Sequence, residues 1–143
     1  MSAIATVRTI GSGVAIEAVI AATARGREIA GPVVAAVVGA RGDLVAFLHT
    51  NGAPAPSAKI AQDKAYTAAS FRVPTPALFD MVSASPALRE GIAAQPGVAM
   101  FGGGLPIEID GEFVGAIGVS GASEAQDIEC ANAGLAAIGA KLF

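Results

Sequence analysis

Lys64 has the clearest potential for chemistry, because it falls on the apolar side of a predicted helix. Ile60, Thr67 and Phe71 define that side. At about 100° per residue, Lys64 lies within roughly 40° of Ile60 and 20° of Phe71. A buried lysine needs a partner, and burial lowers its pKa. Lys64 could anchor a carboxylate or a propionate, or act as an amine base. Alternatively, its stem lies along the core edge and its ammonium reaches water.

Three consecutive glycines, Gly102 to Gly104, follow Phe101 and precede Leu105. Without a Cβ atom, such a backbone can approach a ligand or another chain closely. The glycines could form a nest for an anion or lie flat against a planar ligand. The alternative is a bulge, or the close packing of two backbones.

Two acids stand in the first turn of the last predicted helix. Helical rotation places Glu124 near the middle of that helix's apolar stripe and Asp127 at its margin, roughly 60° away. These carboxylates could polarise a ligand or act as general base and acid with Lys64. Alternatively, they complement the dipole at the helix N-terminus.

His49 is the single histidine of the chain and ends a predicted strand. It could ligate a metal or haem iron or shuttle protons, or it could be an ordinary surface residue. No cluster of His, Cys, Asp and Glu has the spacing of metal ligands, which argues against a structural metal. Cys130 follows the apolar pattern of the last helix, which indicates a buried, inert thiol.

The composition suits one domain, residues 1–143, with a substantial core. Hydrophobic residues make up 53% and charged residues 15% of the chain, and the mean hydropathy is +0.60. No uninterrupted apolar run of about 18 residues is present, so we expect no membrane-spanning helix. Subunit contacts would account for the apolar excess, so we expect a homo-oligomer.

A net charge of −3 with scattered basic residues argues against nucleic acids and anionic membranes as partners. The N-terminal residues Met1 to Ile10 lack the pattern of a signal peptide, so we expect a cytoplasmic protein. The single cysteine cannot form a disulfide within the chain. With nucleic acids and membranes disfavoured, we expect a small molecule as the partner.

The positions of these candidate residues are set by predicted helices that alternate with predicted β-hairpins. Ser12 and Ser57 are candidate N-caps of the first two predicted helices, and Ser123 with Gln126 is predicted to form a capping box at the last one. The segment Ser83 to Gly97 is expected to be mobile. The predicted elements are helices over 13–29, 57–71, 76–82 and from 123, and strands over 33–38, 44–49, 98–101, 105–109 and 112–120. An antiparallel sheet with packed helices follows, an α/β (α+β) architecture.

The last two strands are predicted to form a hairpin around Asp110-Gly111, a two-residue turn that favours antiparallel pairing. With that turn, Ile109 faces Glu112, Ile107 faces Val114 and Leu105 faces Ala116. These residues then share one face of the sheet. The other face would carry Phe113, Gly115, Ile117 and Val119.

Three motifs together resemble the GlcG/HbpS-like family of haem-binding proteins, which also supplies the C-terminal domain of PduO-type corrinoid adenosyltransferases. They are Gln62-Asp63-Lys64-Ala65-Tyr66-Thr67-Ala68, Phe101-Gly102-Gly103-Gly104-Leu105-Pro106-Ile107 and Gly115-Ala116-Ile117-Gly118-Val119-Ser120-Gly121. The likeness extends from the first helix through Asp127 and Cys130.

The resemblance implies a single profilin-like domain with a central antiparallel sheet of about five strands between helices. It also implies homo-oligomers, and haem as the ligand. Haem iron takes an axial His, Cys, Met or Tyr, and the candidates here are His49, Met81, Met100 and Tyr66.

Three functions remain open on the sequence. The first is a module that binds a small molecule such as haem through Lys64, Phe101 and Gly102 to Gly104, with His49 or Met100 as a ligand to iron. The second is a cofactor-independent enzyme acting on a small organic acid or carbonyl compound. In it, Lys64 with Asp127 or Glu124 supplies base and acid. The third is a structural or regulatory oligomer.

Overall fold

The computed structural model describes all 143 residues and contains one sheet with five helices. The helices are α1 (Ser12–Ile29), α2 (Pro56–Phe71), α3 (Thr75–Val82), α4 (Pro86–Ala93) and α5 (Glu124–Ala137). The strands are β1 (Val34–Gly39), β2 (Leu44–His49), β3 (Gly104–Ile109) and β4 (Glu112–Ser120). No helix combines the length and the apolar character that crossing a lipid bilayer requires.

The sheet has the order β2-β1-β4-β3, and every neighbouring pair is antiparallel. Helices α1 and α5 pack together on one face, and α2 covers β1 and β4 on the other face. The α+β class and the helix-flanked antiparallel sheet are therefore confirmed. The sheet has four strands rather than about five, because Val98 to Phe101 forms no strand.

Strand β1 is central and buried along its whole length. Val33, Ala35 and Val37 belong to the cluster under α1 and α5, whereas the alternating residues Val34, Ala36 and Val38 contact α2. Both faces of a central strand are apolar when helices cover both sides. The continuous apolar run of the sequence is explained by this position.

The hairpin of β3 and β4 forms around Asp110 and Gly111, whose φ values of 53° and 78° suit a two-residue turn. Ile109 pairs with Glu112 as predicted, but a bulge follows at Ile107/Glu108. Ile107 then faces Gly115, so the predicted pairing with Val114 is wrong, as is that of Leu105 with Ala116. An extra residue in one strand moves all later side chains to the other face. Leu105 consequently shares its core cluster with Ile117.

Several predicted details of the helices are wrong. Gly11 rather than Ser12 precedes α1, and Ala55 rather than Ser57 precedes α2, and neither provides a side-chain cap. The segment Ser83 to Gly97, whose mobility stays a prediction, contains the additional helix α4, which begins with Pro86 after a cap by Ser85. Proline suits the first helical turn, because its missing N–H would have no partner there. The capping box of Ser123 and Gln126 is confirmed.

Candidate functional site

The ammonium group of Lys64 is enclosed by protein. The residue is 1% exposed, and its Nζ donates hydrogen bonds to Val119 O at 2.9 Å and Asp127 Oδ2 at 3.0 Å. The ring centroid of Phe101 lies 4.8 Å from the same nitrogen, which adds a cation–π contact. The alternative in which this ammonium reaches water is therefore wrong.

Helix α2 places Lys64 through a face made of small residues. Ala61, Ala65 and Ala68 are buried against the sheet, and α2 lies so close to β4 that a Cβ on Gly118 would stand 2.1 Å from Ala61 O. Ile60 is only half-buried, and Phe71 is exposed. The buried face of α2 thus centres on alanines, and the long Lys64 stem extends between α2 and the sheet toward α5.

Asp127 is the acid that is buried with Lys64, and Glu124 stands outside. Asp127 is 3% exposed, and its Oδ1 accepts a hydrogen bond from Ala122 N at 3.1 Å. The exposed Glu124 accepts one from Gly102 N at 2.6 Å. The predicted placement of Glu124 at the centre of the apolar stripe is wrong, because Glu124 is exposed and Ile128 is only half-buried. The buried face of α5 consists of Asp127, Cys130, Ala131, Gly134 and Leu135.

Burial disfavours both charges of the Lys64–Asp127 pair. Desolvation lowers the pKa of Lys64, although the neighbouring Asp127 charge opposes this. Desolvation likewise raises the pKa of Asp127 against the opposing effect of Lys64. The proton that joins the two residues is therefore held less firmly by the amine, and more firmly by the carboxylate, than it would be in water.

The three glycines Gly102 to Gly104, which we call the glycine turn, cover this ion pair. A Cβ on Gly103, whose φ is +130°, would stand 2.5 Å from Val119 O and 2.9 Å from Lys64 Nζ. A Cβ on Gly104 would stand 2.4 Å from Lys64 O. The Thr75 hydroxyl donates to Phe101 O at 2.6 Å and accepts from Gly104 N at 3.1 Å. Glycine is required here because two backbones and a lysine meet at contact distance.

The structure thus brings most of the sequence-predicted site residues together. Lys64, Asp127, Glu124, Phe101 and Gly102 to Gly104 form one cluster, which we call the Lys64 cluster. Its members come from α2, from α5 and from the segment that leads into β3, whose first residue is Gly104.

His49 and Cys130 stand apart from this cluster. His49 is exposed at the end of the edge strand β2, and its Nε2 lies 3.0 Å from Ala53 O. Cys130 is fully buried, and burial raises the pKa of its thiol to about 11. No three His, Cys, Asp or Glu side chains come together in the arrangement of a metal site.

An apolar pocket of about 370 Å³ adjoins the Lys64 cluster at Phe101. The sequence predicted a strand over Val98 to Phe101 and gave no sign of the pocket, because the residues that line it show no periodic pattern. Phe101 is 45% exposed. Its ring lines this pocket and also contacts the Lys64 ammonium. The pocket is lined only by hydrophobic residues, namely Phe79, Ala93, Val98, Ala99, Met100 and Phe101.

These features define an α+β protein with a closed ion pair beneath a glycine turn and an apolar pocket beside it. The sequence profile of the haem-degrading HbpS-like proteins matches residues 11–136. The chain belongs to the HbpS-like family, as the three motifs indicated.

Two curated relatives support this assignment. An uncharacterised 15.0 kDa protein from the dhaT–dhaS intergenic region of Citrobacter freundii is 36% identical over 108 residues, covering 75% of this chain and 76% of that protein. The corrinoid adenosyltransferase PduO of Salmonella typhimurium is 35% identical over 120 residues, covering 82% of this chain but 35% of PduO. The chain therefore matches about a third of that enzyme.

Solved structures agree with the family and the fold. Klebsiella pneumoniae protein ORFY superposes with a TM-score of 0.89 at 28% identity, covering 97% of both chains. HbpS gives a TM-score of 0.84 at 31% identity, covering 94% of this chain and 93% of HbpS. A complex of PduOC with haem gives 0.85 at 30% identity, covering 93% of this chain and 97% of PduOC.

Proposed function

We propose that this protein binds a flat, largely apolar small molecule of the haem class in the pocket beside Phe101. The observation that carries the proposal is that this pocket, lined only by hydrophobic residues, shares Phe101 with the glycine turn. Lys64, Glu124 and Thr75 fix the position of that turn. The complex of the related PduOC with haem supports the same ligand class.

The donor set of the pocket fits haem. Met100 is half-buried in the wall of the pocket, and a methionine thioether is an established axial ligand to haem iron. Met81, Tyr66 and His49 do not line this pocket. Met100 would therefore ligate the iron, while Phe79 and Phe101 would pack against the macrocycle. Bound haem would supply a redox-active iron.

Lys64 has an indirect role in this proposal. Its ammonium is occupied by Val119, Asp127 and the Phe101 ring, so it supports Phe101 from behind. The pocket wall contains no cationic side chain, and the propionates of haem would extend into solvent.

Haem titration followed by absorbance tests the proposal. We expect a saturable Soret band with the wild-type protein, and a shifted band with about tenfold weaker binding for Met100→Leu. Met81→Leu is the matched control, because Met81 is 66% exposed and outside the pocket. Absence of a saturable band on folded protein would refute haem binding. A Soret band that is unchanged in Met100→Leu would show that Met100 does not ligate the haem iron.

We also propose that the protein is a homo-oligomer. Several large apolar side chains remain exposed on α1 and on the edge strand β2, among them Ile16, Ile20, Leu44 and Phe47. An edge strand with unpaired backbone groups is a ready surface for association. Together with the high mean hydropathy of +0.60, these surfaces favour contacts between subunits.

The alternative function is a cofactor-independent enzyme that moves a proton on a small organic acid or carbonyl compound. The buried Lys64–Asp127 pair favours this alternative, because burial lowers the pKa of Lys64 and raises the pKa of Asp127. Lys64 would be the base, with Asp127 or Glu124 as the acid. A substrate would reach Nζ only after Phe101 moved aside, since Lys64 is 1% exposed.

Deuterium exchange tests this alternative without knowledge of the substrate. The protein is incubated in D₂O with a panel of 2-oxo acids and aldehydes, and NMR follows the loss of signal from the hydrogens on the carbon next to the carbonyl. Exchange should be abolished in Lys64→Met and retained in Lys59→Met, whose exposed lysine pairs with Asp63. Exchange that persists in Lys64→Met would refute the mechanism.

A further inference from the structure

A second, polar pocket lies at the end of the sheet where β1 turns into β2 and where β4 begins. It has a volume of about 470 Å³ and is lined by Arg8, Arg41 and Arg72. None of the residues of the Lys64 cluster lines it. We propose that this arginine pocket binds the phosphate group of a phosphate monoester.

The three arginines come from three separate parts of the chain. Arg8 precedes α1, Arg41 lies in the turn between β1 and β2, and Arg72 follows the last residue of α2. Like charges in one pocket repel one another, and an ion pair with Glu112 compensates only Arg8. A bound anion would offset that repulsion, which is the usual role of clustered guanidinium groups.

Arg72 is held in place for such a contact. Its backbone is left-handed, with φ of +57°, a conformation that non-glycine residues seldom adopt. Its guanidinium carbon lies 4.6 Å from the ring centroid of Phe113. Stacking on a ring leaves the in-plane N–H donors of a guanidinium free. No side-chain hydrogen bond or ion pair of Arg72 occupies those donors within the chain.

The N-terminal segment that contains Arg8 is also fixed to the sheet. Ile10 N donates to Val114 O at 2.9 Å, and Thr9 Oγ1 accepts from Ala40 N at 3.0 Å. These contacts join the wall that contains Arg8 to the turn that contains Arg41. The pocket is therefore built by long-range hydrogen bonds between separate parts of the chain rather than by one flexible loop.

The charges of the pocket favour a dianion. Arg8 forms an ion pair with Glu112, whereas Arg41 and Arg72 have no carboxylate within ion-pair distance. Two further acids lie near this end of the sheet: Asp43 packs against Gly39 beside the turn, and Asp110 lines a neighbouring pocket with Arg8. Two uncompensated positive charges in a chain of net charge −3 match a phosphate monoester, which carries about −1.5 to −2 at pH 7.

The size of the pocket indicates an ester rather than free phosphate. Its volume leaves room beyond one phosphate group, and Val7 and Phe113 supply apolar surface beside the arginines. The organic part of the ligand would contact these two side chains, while the phosphate oxygens accept hydrogen bonds from Arg41 and Arg72.

The test is calorimetric titration with glycerol 3-phosphate at low ionic strength, with succinate as the dicarboxylate comparison. We expect saturable binding by the wild type and at least about tenfold weaker binding by Arg41→Gln/Arg72→Gln. The control is Arg27→Gln/Arg89→Gln, which removes the same charge outside the pocket and should retain wild-type affinity. Circular dichroism confirms that both variants are folded.

The outcomes distinguish the proposal from non-specific charge attraction. Equal loss in the two double variants would show attraction to overall charge alone and would overturn the site. Absence of saturable binding by the wild type would overturn it as well. Tighter binding of succinate than of glycerol 3-phosphate would overturn the assignment of the ligand class.

Discussion

Lys64 Nζ and Asp127 Oδ2 lie 3.0 Å apart in an ion pair that water does not reach. The two residues are 63 positions apart in the chain, and the pair connects α2 to the beginning of α5. The remaining Asp127 oxygen binds the backbone of Ala122, and Lys64 also binds Val119. The pair thereby fixes the end of β4 between the two helices.

Breaking this pair should be costly. We expect Lys64→Met to lower the free energy of unfolding by about 3–5 kcal/mol at neutral pH, because it leaves Asp127 buried without its partner. Lys64→Met/Asp127→Leu should recover at least about 2 kcal/mol of that loss, since no lone charge remains. Urea unfolding measures both. Lys59→Met, which removes an exposed ion pair, should change stability by about 0.5 kcal/mol or less.

The loss in Lys64→Met should depend on pH. Burial raises the folded-state pKa of Asp127 above its ordinary 3.8, and removal of Lys64 raises that pKa further. Between the unfolded and the folded pKa, the folded variant binds more protons than its unfolded chain. Its free energy of unfolding therefore falls as pH rises through this window.

Urea unfolding at about pH 4.5 and about pH 7 checks this sign. We expect the deficit of Lys64→Met relative to the wild type to be smaller at the lower pH, where protonated Asp127 no longer needs a counter-charge. An equal deficit at both pH values would show that Asp127 does not carry the effect. Lys59→Met serves again as the control, with a small deficit at both.

Gly103→Ala should disrupt the glycine turn. The new methyl group would meet Val119 O at 2.5 Å, on a backbone with φ of +130°. We expect a loss of at least about 2 kcal/mol. Gly91→Ala is the matched control, because Gly91 lies in α4 with open space around it. That change should stabilise the protein by about 0.5–1 kcal/mol. Equal effects of the two changes would contradict the close packing described here.

The sequence allowed the hairpin turn and most element bounds to be predicted, because these depend on local signals. Asp110-Gly111 and the capping box of Ser123 and Gln126 act within a few residues. The bulge at Ile107/Glu108 could not be predicted, since it depends on how β3 packs against β4 and the helices. It altered the register of every later pair in the hairpin.

The helix faces were misjudged for a different reason. The predicted apolar face of α2 included Phe71, which is exposed, whereas alanines form most of the buried face of that helix. On α5, Leu135 is buried, but the other buried residues are Asp127, Cys130, Ala131 and Gly134. Gly134 illustrates the cause, because a Cβ there would stand 2.9 Å from Ala18 O in α1. Where elements approach this closely, alanine and glycine occupy the contact. A large apolar residue such as Phe71 then lies at its margin.

The same effect explains why the site was only partly predicted. Lys64 and the glycines were recognised from residue type, but the partner among the two acids depended on the rotation of α5. Asp127 is buried together with Ala131 and Gly134, which follow one and two turns later in α5, whereas Glu124 is the first residue of the helix and is exposed.

The Cys130 thiol should be unreactive in the folded protein. It is fully buried, and its pKa is raised to about 11, so both access and thiolate are lacking. We expect no reaction with a disulfide reagent under native conditions and rapid reaction in urea. Ser2→Cys adds an exposed thiol as the positive control. Reaction of Cys130 at the same rate as that exposed thiol would contradict its burial.

Association of subunits should depend on the exposed apolar face of α1. Ile16 and Ile20 are 50% and 54% exposed, one helical turn apart. We expect Ile16→Glu/Ile20→Glu to reduce the molar mass measured by light scattering, because it places two carboxylates in the contact. Met81→Glu, which adds a charge at another exposed apolar residue, should retain the wild-type mass. A monomeric wild type at micromolar concentration would refute the oligomer. A wild-type mass in the α1 variant would place the contact elsewhere, with β2 as the next candidate.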